Sequence, residues 1–262
     1  MSSRAITSLT NPTVKAVRAL HMRKEREATG QFLAEGLKIV TEAVELGHAP
    51  AILMHGSEAD HPLLHQAIAA TEKARGQVIE VTRDILAKIS RRDNPQTVLA
   101  VFNQGFAPLT ALEPASAKCW VALQAVRDPG NLGTIIRTAD AAGCGGVILV
   151  GDCVDPFSVE TVRATMGSIF AVKIAKTGVE EFIGWRKSWP GSVVGTLLTA
   201  TEDFRAADYR APSLILMGNE QAGLPPELAE ICDVNVKIPM RGRADSLNLA
   251  VATGVMIYAA TA

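Results

Sequence analysis

Two stretches near the C-terminus, LILMGNEQAGLPPEL (214–228) and VKIPMRGRADSLNLAVAT (236–253), decide how the second half of this 262-residue chain folds. Each opens as an apolar run that reads as a buried strand, breaks into a loop of Gly, Pro and polar side chains, and then feeds a helix. Ligands of open α/β sheets bind at the C-terminal ends of such strands. Two of these loops, separated by one short helix, read as two walls of a single pocket. Gly218 to Gly223 has the G-x-x-x-x-G of a phosphate loop, but Leu224 and Pro225 stand where Lys and Ser/Thr are needed, which argues against an NTPase. Gly143, Gly145 and Gly146 do not make G-x-G-x-x-G, because Ile148 fills the last place, which argues against a dinucleotide site. What remains is a pocket of backbone amides and carbonyls with apolar walls from Leu216, Ile238, Met240 and Leu247. It suits a neutral or cationic ligand with a flat ring. Taken alone, the two loops leave both readings open, with ordinary strand–helix turns favoured.

A third stretch, QAVRDPGNLGTIIRTADAAG (124–143), removes that ambiguity. It carries Asn131-x-Gly133-x-x-x-Arg137 followed by Thr138, Ala139 and Ala142-Gly143. The stretch at 214–228 carries Gly218-Asn219-Glu220-x-x-Gly223-Leu224. That at 236–253 carries Ile238-Pro239-Met240, then Ser246-Leu247-Asn248-Leu249-Ala250-Val251-Ala252. In order and spacing the three resemble the motifs of the SpoU (TrmH-type) family of RNA ribose 2′-O-methyltransferases, over about Trp120 to Ala260. One departure is Leu249-Ala250, where many relatives carry Val-Ser; the lost hydroxyl lies past the core triplet.

The remaining composition is ordinary. The chain is 48% hydrophobic and 20% charged, with room for one large or two medium domains. No apolar run approaches the ~18 residues of a membrane span, and MSSRAITSLTNP has no apolar signal core, so the expected setting is cytoplasmic, with no membrane partner. Cys119, Cys144, Cys153 and Cys232 lack C-x-x-C spacing and read as buried reduced thiols. All five histidines fall between His21 and His65; His61 and His65 read as a solvated helix face, and no metal site is expected. The net charge of −1 does not announce a nucleic-acid binder, but residues 1–30 hold six basic side chains (Arg4, Lys15, Arg18, Arg23, Lys24, Arg26) against two acidic ones (Glu25, Glu27). Such a patch can meet a phosphate backbone or be a solvated helix face.

Along the first half, Asn11-Pro12 reads as a helix cap with proline at the first position, opening a helix to Arg26 that Gly30 stops. Strands at 31–35, 51–54, 78–81 and 98–102 alternate with helices at 36–46, 62–74 and 83–89, which makes a compact α/β domain over residues 1–105. NPTVKAVRAL with RKEREATGQFLAEGLKIVTEAV is similar to the L30e-like substrate-binding domain of many SpoU relatives, through Asn11, Pro12, Lys15, Arg23-Lys24, Gly30, Phe32, Glu35-Gly36 and Glu42-Ala43. That likeness implies RNA binding. Residues 106–118 read as a linker. From 119 to 262, a strand at 120–124, a helix from Asn131 to about Ala142, a strand at 147–150, a helix at 157–165, a strand at 170–174, a helix at 179–187 and a strand at 193–197 predict a mostly parallel sheet with helices on both faces. A final helix is expected over Ser246–Ala260. The resemblance adds a C-terminal trefoil knot, which no sequence pattern shows.

The resemblance also implies the chemistry. The cofactor is S-adenosyl-L-methionine, held by Gly218, Ile238 and Leu247, with Leu216 and Met240 completing the walls. Asn131, Arg137, Glu220, Ser246 and Asn248 gather at its methyl group, and the nucleophile is a ribose 2′-hydroxyl. A guanidinium has a pKa above ~12, so an electrostatic and phosphate-holding role suits Arg137 better than that of a base. Arg241 and Arg243, with Arg18, Arg23 and Lys24 of the first domain, are the expected RNA contacts. Ribosomal RNA is the expected substrate, with transfer RNA or a non-catalytic RNA-binding role as alternatives. Relatives are homodimers, and the apolar last helix is the expected contact.

Overall fold

The computed structural model describes residues 4–262; Met1 to Ser3 of the N-terminal stretch, and the side chain of Arg4, lie outside the described residues. In chain order the elements are β1 (Arg4–Ile6), α1 (Pro12–Ala19), α2 (Arg23–Thr29), β2 (Gln31–Glu35), α3 (Leu37–Glu45), β3 (Ile52–Gly56), α4 (Pro62–Lys73), β4 (Gln77–Val81), α5 (Arg83–Ser90) and β5 (Val98–Asn103). They continue with β6 (Cys119–Gln124), α6 (Pro129–Ala141), β7 (Gly146–Val150), α7 (Val159–Thr165), β8 (Lys173–Thr177), α8 (Val179–Arg186), β9 (Val193–Thr196), β10 (Glu202–Asp203), β11 (Ser213–Met217), α9 (Pro226–Ala229), β12 (Val234–Lys237) and α10 (Leu249–Thr261). The chain divides into two compact units, 4–104 with 155–171, and 105–154 with 172–262.

The first unit has a five-stranded sheet in the order β1-β4-β3-β5-β2 among the described residues. β1, β4 and β3 run parallel, and β5 is antiparallel to both β3 and β2. Val14 and Val17 of α1 and Ile85, Leu86 and Ile89 of α5 bury against Leu33, Met54, Ile79, Leu99 and Val101 of the strands. The Asn11 cap is as expected, its side chain accepting from the Thr13 N–H at 2.9 Å. The helix expected to reach Arg26 is broken at Leu20–Met22 into α1 and α2. His61 is the N-cap of α4, accepting from the Leu63 N–H, and His65 meets Asp60 at 3.0 Å.

Residues 155–171 belong to this unit although they lie between β7 and β8 in sequence. Phe157 and Phe170 stack with Phe32 at ring-centre distances of 4.8 and 5.8 Å. Arg163 forks onto Glu35 at 3.0 Å and 2.6 Å. Arg26, only 3% exposed, reaches Asp155 at 2.6 Å and the Leu20 carbonyl at 2.7 Å. Arg26 is therefore an internal ion pair rather than part of a solvated basic face.

The second unit has a seven-stranded sheet in the order β10-β12-β9-β11-β6-β7-β8, every pair parallel. Strand alternation splits each strand between two faces. Trp120, Ala122, Ile148, Leu214 and Leu216 share a core with Phe182 of α8 and Leu228 of α9. On the other side, α10 packs on β6, β11 and α6. Leu109 and Leu112 of the expected linker are buried in the same core as Trp120, so this stretch is anchored rather than free. The strand expected at 170–174 is displaced to β8, since Ser168–Phe170 forms a single helical turn in the first unit. β11 inserts between β9 and β6, and β12 between β10 and β9, so past β8 the strands that pair in the sheet are not consecutive in the chain. This is the region in which the resemblance places the knot.

Candidate active site

The site is made by the loops that follow β6, β9, β11 and β12, at the C-terminal ends of parallel strands. After β6 the chain turns at Ala125, which adopts a left-handed φ of 48°, a strained choice for a residue with a Cβ. Asp128 then caps α6, its carboxylate accepting from the Asn131 N–H at 2.6 Å, with Pro129 at the first helical position. The helix therefore starts before Asn131, and Asn131 presents its side chain from the first turn. Asp128-Pro129 repeats the pattern of Asn11-Pro12, so the sequence carried a signal for this earlier helix start.

After β11, the loop pinches shut between Asn219 and Gly223, whose N–H and C=O groups exchange bonds of 3.0 and 2.9 Å. The Asn219 side chain staples the loop twice: its Oδ1 accepts from the Gln221 and Ala222 N–H groups, and its Nδ2 donates to the Ala125 carbonyl at 2.7 Å. A Cβ on Gly218 would overlap the backbone of Gly223 and Leu224. Gly218 is thus required by closure of its own loop, apart from its expected place at the cofactor.

The pinched loop delivers Glu220 to the start of α6. Its Oε1 accepts from Asn131 Nδ2 at 3.2 Å and from the Asp128 N–H at 3.4 Å, and its Oε2 from the Arg127 N–H at 3.3 Å. Asn248 Nδ2 donates to Asn131 Oδ1 at 2.9 Å, while Asn248 Oδ1 caps α10 by accepting from the Ala250 and Val251 N–H groups. The helix expected from Ser246 begins only at Leu249, which leaves Ser246, Leu247 and Asn248 in the loop facing the cavity.

These groups line a cavity of about 850 Å³, within the range of small-molecule sites. Its lining includes Asp128, Asn131, Glu220, Ser246 and Asn248 on the polar side, and Leu197, Leu198, Met217, Ile238, Met240 and Leu247 among the apolar residues. Gly218 lines it as well. Leu216 does not: the alternation that turns Met217 to the cavity sends Leu216, with no exposure, into the core on the other face. Thr196 at the end of β9 and residues 197–199 after it also line the cavity, and no motif in the sequence pointed to them. Apolar walls beside a polar cluster fit S-adenosylmethionine, which joins a flat adenine ring to a charged sulfonium and amino-acid tail.

Arg137 is not brought into this cluster. It lies six residues beyond Asn131 on α6, about 120° around the helix at 100° per residue, and is exposed. Arg241 and Arg243 are exposed on the loop after β12 and do not line the cavity. On the first unit, Lys24 is exposed, Arg18 half-buried, and Arg23 exposed but paired with Glu27 at 2.8 Å. Among the described residues no cluster of three or more His, Cys, Asp or Glu forms a metal site, and no helix is long and apolar enough to cross a membrane.

Residues 118–258 match the model of the SpoU rRNA Methylase family, and residues 11–100 match an MRM3-like substrate binding domain. The chain is 32% identical to the 23S rRNA (guanosine(2553)-2'-O)-methyltransferase RlmP of Bacillus subtilis, over 97% of each chain. It is 31% identical to a 23S rRNA (uridine(2479)-2'-O)-methyltransferase of Streptomyces viridochromogenes, over 91% of this chain and 85% of that one. Among solved structures, an AdoMet-bound rRNA methyltransferase from Sinorhizobium meliloti superposes with a TM-score of 0.93 at 50% identity, covering 98% of this chain and 97% of that one.

Proposed function

Since the chain belongs to the SpoU rRNA methylase family, we propose that it methylates a ribose 2′-hydroxyl of ribosomal RNA, in the cytoplasm, with S-adenosylmethionine as donor. The observation that carries this reading is the hydrogen-bonded set Glu220, Asn131 and Asn248, drawn from two loops and the first turn of α6 onto one cavity. When bound, S-adenosylmethionine supplies an electrophilic methyl group on a positively charged sulfur. Ile238, Met240 and Leu247 of the cavity lining would exclude water and hold the adenine ring, with the Gly218 loop as part of the same wall. Asn131, Glu220, Ser246 and Asn248 form the polar surface that receives the ribose. Exposed Arg137 meets the RNA from outside the cluster, where a planar guanidinium can hold a phosphate and favour negative charge on the ribose oxygen. Binding and orientation then contribute most of the rate.

The first unit, residues 4–104 with 155–171, serves as the RNA-binding domain, with Arg18, Arg23 and Lys24 toward the phosphates, and Arg241 and Arg243 extend that contact from the second unit. Changing Arg18 and Lys24 together to Ala should reduce the salt dependence of RNA binding, and an unaltered slope returns them to solvated positions. The second unit forms a homodimer through α10, whose Val251 and Tyr258 are 54% and 56% exposed on a helix apolar all round. A concentration-independent monomer in light scattering would remove that contact.

The deciding experiment labels ribosomal RNA with methyl-tritiated donor and identifies the product nucleoside by mass spectrometry. A 2′-O-methylated nucleoside is expected; label on a base, or none on any RNA, overturns the reading.

A further inference from the structure

We infer that Glu220 anchors a one-way chain of amide hydrogen bonds running from the second motif through the first into the third, and that it is a positioning residue rather than the acceptor of the substrate's proton. An ionised carboxylate only accepts. Both oxygens of Glu220 are occupied: Oε1 by the Asp128 N–H and Asn131 Nδ2, Oε2 by the Arg127 N–H and Asn219 Nδ2. Glu220 therefore obliges Asn131 to turn its NH₂ group inward. The Asn131 carbonyl then faces Asn248 and must be met by a donor, which fixes Asn248 with Nδ2 toward it. Asn248 is left with its carbonyl toward the Ala250 and Val251 N–H groups, the geometry of a helix cap. One charge in the second loop thus sets the orientation of two amides and the start of α10.

Each of these amides keeps one N–H without a protein acceptor among the described residues, and both residues line the cavity. If the reaction is the one proposed above, on which this consequence rests, this chain of side chains offers the ribose oxygen donors, and its one carboxylate, Glu220, has both oxygens taken. The cluster stabilises negative charge on that oxygen, and the proton leaves to water.

Two comparisons test the chain. Glu220→Gln still accepts through its one carbonyl oxygen and Glu220→Ala does not accept at all. In single-turnover methylation, Glu220→Gln should keep about a tenth or more of the wild-type rate while Glu220→Ala loses about 100-fold. Equal losses in both variants would make Glu220 the proton acceptor and overturn the inference. The second comparison needs neither RNA nor turnover, so it fails independently of the proposed reaction. Asn131→Asp sets two carboxylates face to face, and amide exchange at Ala250 and Val251 should quicken by about fivefold, the size of a weakened cap. Adding Glu220→Gln restores a donor opposite Asp at 131 and should return exchange toward wild type. A double variant no better protected than Asn131→Asp alone would show that no such polarity links the loops.

Discussion

Replacing Gly218 with Ala tests how the cofactor wall is built. The added Cβ would overlap the carbonyl carbon of Gly223 and the nitrogen of Leu224, both backbone atoms that cannot rotate aside. Relief requires the Asn219–Gly223 pinch to open, with loss of its bonds of 3.0 and 2.9 Å. Two hydrogen bonds at about 1 kcal/mol each, with about 1 kcal/mol of residual strain, give about 3 kcal/mol. If the pinched loop is the binding form, S-adenosylmethionine affinity should fall about 100-fold at 1.4 kcal/mol per decade. Gly223→Ala in the same loop is the control. Its φ is +70° but its Cβ would meet nothing within 4 Å, so only the left-handed cost of about 1–2 kcal/mol applies, and affinity should fall by no more than about 30-fold. Titration calorimetry with S-adenosylhomocysteine on both variants, with circular dichroism to establish folding, reads the difference. Near-wild-type binding by Gly218→Ala, or a larger loss in Gly223→Ala, would refute the reasoning.

Deleting residues 1–104 should give an aggregating protein, because Phe157 and Phe170 lose their stacking partner Phe32, and Asp155 and Arg163 lose Arg26 and Glu35; a monodisperse, cofactor-binding fragment in size-exclusion chromatography would contradict this. Burial holds the His21 imidazole below its usual 6.5, helped by Arg91 and partly offset by the bond to the Ile89 carbonyl. Its folded pKa is depressed, so its contribution to stability is complete above the unfolded value and is lost as pH falls through the folded one. Urea unfolding of the wild type should therefore weaken on acidification below about pH 6.5 more than that of His21→Gln, and parallel curves would dismiss the effect. Arg137→Ala should lower single-turnover methylation about 100-fold and Arg137→Lys less, with cofactor affinity unchanged in both; wild-type turnover in Arg137→Ala would remove this arginine from the reaction.

Much of the molecule was legible in the chain. Apolar runs ended by Gly, Pro and Asn marked the parallel strands of the second unit, because strands buried on both faces must be continuously apolar. Asn11-Pro12 marked a helix start through capping chemistry that acts within a few residues. The resemblance of the three motifs to the SpoU family brought Asn131, Glu220 and Asn248 forward as neighbours across gaps of 89 and 117 residues. Tertiary structure alone decided the rest. Side-chain direction turned Leu216 into the core and Met217 to the cavity, and carried Arg137 away from Asn131, since a one-residue step or a partial helical turn is not fixed by a loop's composition. Long-range pairing drew Asp155 and Arg163 to Arg26 and Glu35, which made residues 155–171 part of the first unit. Glu220 and the amides it orients belong to both accounts. Residue type limits what each can donate or accept, but only the closed loops bring those groups within hydrogen-bonding distance, where the carboxylate can dictate which way each amide turns.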